Sequence, residues 1–260
     1  MNKENKLYFG TNTKMYKTIE NTISFLNRLN ELTKDIPDSK MELFVIPSFT
    51  ALSDARKEIG NGRILLGAQN MGWEDEGQFT GEISPIMLKE IGLDIVMIGH
   101  SERRHVLNET DFEEEKKVAK ALEHGFAPLL CIGETLQQKE YGLSKEVLKT
   151  QLKIGLHSVK AEDADKLMVA YEPVWSIGVN GIPASADYAQ EMHVVIKEQL
   201  IELFGKEIAA KIPILYGGSV NINNCVELSH QKDIDGLFIG RSAWDADNFN
   251  KIIRTVIDQL

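Results

Sequence analysis

Cysteine is scarce in this chain of 260 residues: only Cys131 and Cys225 occur. Two cysteines cannot supply the multi-bridge framework of a small secreted scaffold, and a chain of this length needs no such staples. They could pair with each other, but no disulfide framework is suggested, so a reducing cytoplasm is the simpler expectation. Positive charge is in deficit too. Lys plus Arg number 29 against 39 Asp plus Glu, a net charge of −10. Without a global basic field, nucleic acid is not expected as the main partner. No apolar run approaches the ~20 residues of a membrane span, so no membrane partner is expected. The opening residues 1–6 are polar and lack the apolar core of a signal peptide. Histidines are few: His100, His105, His124, His157, His193 and His230. No two have a zinc-binding helical spacing near a carboxylate motif, and neither metal nor other cofactor is expected.

The charge deficit sets a condition. An anionic ligand would have to be held locally, by backbone N–H groups and a few cations inside a cleft.

Apolar runs rich in β-branched residues recur near 7–11, 42–46, 64–67, 95–98, 127–132, 167–171, 214–216 and 236–239. Helix-period segments separate them. Residues 18–33 carry Ile19, Ile23, Leu26, Leu29 and Leu32 at helical spacing. Thr110 with Glu113 forms a capping-box signature for a helix over 111–124, and Ser185 caps another over 185–204. Eight strands, each followed by a helical segment, imply parallel strands joined by right-handed crossovers. The runs are continuously apolar, as expected when both faces of a sheet are covered. Such units close into a single (β/α)8 barrel spanning 1–260. The competing arrangement, an open doubly wound sheet, usually carries a glycine-rich loop after its first strand, and the Gly10–Lys14 stretch, GTNTK, lacks GxGxxG.

Active sites of such barrels lie at the C-terminal ends of the strands. Asn12 and Lys14 follow the first strand. His100, Glu102, Arg103 and Arg104 follow the fourth, Glu172 ends the sixth, and Gly217-Gly218-Ser219 and Gly240-Arg241-Ser242 follow the last two. Singly, each has an ordinary structural explanation: a solvated Lys, a hydrogen-bonded His, a Glu that ends a strand, a glycine turn. Together they bring a cation, an imidazole and a carboxylate to one rim.

The segments Asn12-Thr13-Lys14-Met15, Gly67-Ala68-Gln69-Asn70, Phe79-Thr80-Gly81-Glu82-Ile83-Ser84, GHSERR from Gly99, CIGE from Cys131, AYEPVW from Ala170 and YGGSV from Tyr216 resemble, in order, the signature blocks of triosephosphate isomerases. The resemblance covers nearly the whole chain and implies a TIM barrel acting on a small anionic sugar phosphate. It implies Glu172 as the base, His100 as the donor facing both oxygens of an enediolate, and Lys14 and Asn12 as stabilisers of negative charge. The family is a known case of a neutral His at a helix N-terminus serving as electrophile, and the resemblance implies such a helix from Ser101 onward. Glu102 resembles the family's carboxylate near the lysine; a pairing with Arg103 or Arg104 is the alternative. Gly178, Ser219, Gly240 and Arg241 lie where the family holds phosphate through backbone amides. Residues 173–184 resemble its closing lid. The long 70–83 loop, with Thr80, implies a homodimer.

Four departures from the family accompany the match: Thr13, Tyr16, a lid reading Gly178-Val179-Asn180-Gly181-Ile182-Pro183, and Gly240-Arg241 for Gly-Gly. The family's usual activity, interconversion of dihydroxyacetone phosphate and D-glyceraldehyde 3-phosphate in glycolysis and gluconeogenesis, is the first expectation. The alternative is a tetrulose phosphate isomerase of sugar-alcohol catabolism, because NGIPASADYA and IDGLFIGRSAW resemble the L-erythrulose-1-phosphate isomerase branch. A third reading, a non-catalytic sugar-phosphate binder, would not require Glu172.

Overall fold

The computed structural model describes residues 6–178 and 181–259 of the protein. Eight parallel strands close a barrel in sequence order: β1 Leu7–Asn12, β2 Met41–Ile46, β3 Ile64–Ala68, β4 Ile95–Ile98, β5 Ala127–Ile132, β6 Met168–Tyr171, β7 Ile214–Tyr216 and β8 Gly236–Ile239. Closure is direct, with Tyr8 opposite Gly236 and Thr11 opposite Ile239. The open-sheet alternative is thereby excluded. Strand positions match the apolar runs to within one residue at either end.

The strands are apolar on both faces because each face meets its own core. Phe44, Ile46, Ile95, Met97, Leu129, Cys131, Met168, Ala170, Leu215 and Phe238 fill the barrel interior. The alternate residues, such as Leu43, Val45, Val96, Ile98, Leu130, Ile132, Val169 and Tyr171, pack outward in the second core with the helices. Gly10 makes room for this interior: a Cβ there would lie 2.0 Å from the Phe44 ring.

The helices are α1 Ile19–Thr33, α2 Leu52–Ile59, α3 Pro85–Ile91, α4 Ser101–His105, α5 Asp111–Glu123, α6 Leu136–Glu140, α7 Ser144–Gly155, α8 Ala186–Phe204, α9 Lys206–Ala209, α10 Cys225–Ser229 and α11 Ala246–Ile257. Their starts follow the sequence. Thr18 accepts from Asn21 N, Ser185 from Tyr188 N, and Thr110 and Glu113 close the expected capping box. Cys131 and Cys225 are both buried free thiols. Among the described residues no helix is long and apolar enough to cross a membrane.

Candidate active site

At the C-terminal ends of the strands lies a cleft of about 270 Å³. It is lined by Asn12, Lys14, His100, Glu172, Gly178, Ser219, Gly240 and Arg241, among others. Every expected catalytic and phosphate-binding residue therefore reaches one space. Glu102 and Thr80, the two supporting residues, do not line it.

Glu172 follows β6 directly and is only 3% exposed. One carboxylate oxygen accepts from Ser101 N at 3.2 Å, and the other lies 3.4 Å from His100 Nε2. Both partners come from the start of α4. His100 is the N-cap of that one-turn helix, and its Nδ1 accepts from Glu102 N at 3.2 Å. An acceptor at Nδ1 carries no proton, so the neutral ring has its proton on Nε2, facing the cleft and Glu172. The Glu172 backbone is seated close against the end of β5, since a Cβ on Gly133 would fall 1.9 Å from the Glu172 carbonyl oxygen. Below it, Cys131 is fully buried. Burial, then the charge of Glu172, pushes its thiol pKa well above the usual range.

Lys14 Nζ donates to Glu102 Oε1 at 2.8 Å. The two arginines have other partners: Arg103 pairs with Glu109 at 2.7 Å, and Arg104 with Asp111 and Glu114. The alternative pairing for Glu102 is therefore not the one found. Lys14 also has φ +52°, a left-handed conformation rare outside glycine.

The other end of the cleft is built from backbone. Gly178 has φ +89°, and a Cβ on Gly240 would meet nothing within 4 Å, leaving that backbone open to close approach. Ser219 N donates to Ser176 Oγ at 3.2 Å. Arg241 is exposed at the rim. In the segment after β6, Val179 and Asn180 lie outside the described residues. The start of that segment is anchored by Glu134, which is fully buried. Its carboxylate accepts from Trp175 Nε1 at 2.8 Å, Tyr188 OH at 2.8 Å and Tyr171 OH at 3.0 Å. Lys139 Nζ lies 3.4 Å from the Trp175 ring centroid.

Several of these contacts were not assigned from sequence. Glu134 and Gln69 lay within recognised blocks but carried no assigned role. Trp244 lines the cleft, donates to the Asn12 carbonyl at 2.8 Å and packs against Tyr16, with ring centroids 4.6 Å apart. Its only signal was a large aromatic four residues after Gly240. Thr80 is exposed on the 70–83 loop. Among the described residues Asp75, Glu123 and His124 cluster away from the cleft lining. His124 Nε2 and Asp75 Oδ1 are 2.7 Å apart, and Glu123 pairs with Lys120 at 2.8 Å.

The triosephosphate isomerase family model matches residues 7–256. The L-erythrulose-1-phosphate isomerase of Rhizobium etli is 48% identical over 251 residues, covering 96% of this chain and 92% of that protein. The enzyme of the same name from Rhizobium meliloti is 47% identical, covering 96% of each. The triosephosphate isomerase of Carboxydothermus hydrogenoformans is 43% identical, covering 96% of this chain and 98% of that protein. With the closed barrel and the converging cleft, these matches identify the chain as a member of the triosephosphate isomerase family.

Proposed function

We propose that this chain isomerises a four-carbon ketose phosphate, converting L-erythrulose 1-phosphate to D-erythrulose 4-phosphate. The single observation that carries the substrate is the name shared by the 48% and 47% identical relatives, against 43% for the triosephosphate isomerase. The triose phosphate reading, and with it glycolysis and gluconeogenesis, becomes the second reading. Sugar-alcohol breakdown replaces it as the setting.

The cleft geometry supports the proton chemistry. The reaction removes the proton from the carbon beside the ketone, passes through an enediolate, and returns a proton to the former carbonyl carbon. Glu172 serves as base; its carboxylate must leave Ser101 N to reach carbon. The Nε2–H of His100 donates to the two enediolate oxygens in turn, and a neutral ring suits that role because it can give and regain one proton. Lys14 and the Asn12 amide stabilise the negative oxygen. Phosphate binds to N–H groups of Gly178, Ser219, Gly240 and Arg241, with Ser219 N turning from Ser176 Oγ to the anion, which answers the charge deficit: the anion is held by local dipoles in a chain of charge −10. Closure of residues 173–184 excludes water from an enediolate that would otherwise expel its phosphate.

We also read the chain as one catalytic domain that works as a homodimer. Met15 is 93% exposed and Tyr16 73%, and Phe79 and Met87 are exposed on or beside the 70–83 loop. Those exposed apolar groups suit a partner's surface.

The experiment is turnover in D2O, followed by NMR. The proposed reaction incorporates solvent deuterium at the carbon beside the carbonyl, and Glu172→Ala lowers kcat by about 10²–10⁴-fold, the usual contribution of a general base. Binding without exchange by the unmodified protein would leave a sugar-phosphate binder.

A further inference from the structure

Gln69 follows β3 directly, and the chemistry above leaves it unused. Its amide nitrogen donates to Asn12 Oδ1 at 3.0 Å and to the Lys14 carbonyl at 2.8 Å. The backbone N–H of Lys14 donates to the same Asn12 oxygen at 2.7 Å. Two donors on one oxygen fix the orientation of the Asn12 amide. Its NH2 group is turned the other way. There its protein contact is the Met97 sulfur at 3.8 Å, a weak acceptor, which leaves its donors available to the cleft that Asn12 lines.

The second of these Gln69 bonds acts on a strained residue. Lys14 has φ +52°, and a non-glycine residue stays there only when its surroundings over-determine it. From the opposite side, the Trp244 indole holds the Asn12 carbonyl at 2.8 Å. Of the groups gripping this segment, Gln69 touches both the Asn12 side chain and the Lys14 backbone.

We infer that Gln69 is a positioning residue: it presents the Asn12 NH2 group to the substrate oxygen and holds Lys14 in its left-handed conformation. The kinetic consequence rests on the isomerase reading of the cleft; the structural consequence rests on the hydrogen bonds alone.

Gln69→Met keeps the length of the side chain and removes both donors. The first readout needs no substrate. The Asn12 side-chain amide signals, identified by their loss in Asn12→Asp, are sharp in the unmodified protein and become broadened or split in Gln69→Met. The second readout is kinetic. On the ketose phosphate that the unmodified enzyme turns over, Gln69→Met lowers kcat/KM by about tenfold or more, as expected for lost hydrogen bonds to a catalytic group. Gln69→Glu separates positioning from packing. Near pH 8 its carboxylate faces two acceptors and activity falls below that of Gln69→Met. Toward about pH 5 the carboxyl takes a proton, donates one bond, and the activity of Gln69→Glu relative to Gln69→Met rises. Unchanged Asn12 signals in Gln69→Met overturn the inference. So does a kcat/KM within about twofold of the unmodified enzyme, or a Glu-to-Met ratio that is flat with pH. If the unmodified protein turns over no ketose phosphate, the isomerase reading fails, and the amide signals still decide the role of Gln69.

Discussion

Glu172 and His100 meet because each lies just past a strand end, Glu172 directly after β6 and His100 separated from β4 by Gly99, and the two strands flank β5 on the closed wall. Such residues were legible in the sequence, since a strand end fixes where the next side chain can go. Gln69 and Trp244 were not, because their roles arise from what closure brings beside Asn12: β3 from one side and the loop after β8 from the other. Arg241, also legible in the sequence, lines the cleft from an exposed position at its rim. A charge-assisted bond to phosphate contributes about 1.5–3 kcal/mol, so Arg241→Gly should raise KM for the ketose phosphate roughly tenfold with kcat nearly kept. An unchanged KM would restrict Arg241 to its backbone N–H. Cys131 makes a different prediction. Burial and the neighbouring Glu172 charge raise its pKa, so at mildly alkaline pH it remains a neutral, unreactive thiol. Burial also raises the Cys225 pKa. Neither should react quickly with a charged thiol reagent in the native protein, whereas both should do so in denaturant. One fast thiol in the native protein would contradict this burial.

Among the elements, the strands and the long helices were the most legible. The apolar runs persist because both barrel faces are covered, and Thr18, Thr110 and Ser185 announce their helices through cap chemistry. Short elements were less so: α4 is a single turn, and its importance lies in giving Ser101 N to Glu172 and Glu102 N to His100. The segment after β6 was recognised by its Pro and glycines, but its anchor was not. Glu134 is an ordinary acid in the sequence; burial surrounded by Tyr171, Trp175 and Tyr188 donors makes it the acceptor that holds the segment's first turn. Glu134→Gln replaces one acceptor oxygen by a donor. Loss of one charge-assisted bond is worth about 1.5–3 kcal/mol, so kcat/KM should fall about tenfold. Trp175 fluorescence should shift with it. Normal kinetics with an unshifted spectrum would remove Glu134 from the control of this segment.

Across the whole molecule, the proposed function reconciles the negative charge with an anionic substrate by assigning phosphate to the cleft end that Gly178, Ser219 and Gly240 line. The barrel was legible from the eightfold alternation. The proton-moving residues do not encode how many carbons flank the reacting centre, so triose phosphate stood first, and the four-carbon alternative rested on the blocks NGIPASADYA and IDGLFIGRSAW alone. The exposed Met15, Tyr16 and Phe79 lead to one prediction at this scale. Sedimentation should find a dimer at assay concentration, and Phe79→Asp should shift it toward monomer with loss of activity; a fully active monomer would refute the dimer reading.

The central claim is the four-carbon substrate. Its most direct test is kcat/KM for L-erythrulose 1-phosphate and dihydroxyacetone phosphate, measured side by side on the unmodified enzyme. The account predicts a preference for L-erythrulose 1-phosphate of at least about tenfold, the scale set by about 1–3 kcal/mol for recognition of one added carbon. Equal values, or a preference for dihydroxyacetone phosphate, would contradict it.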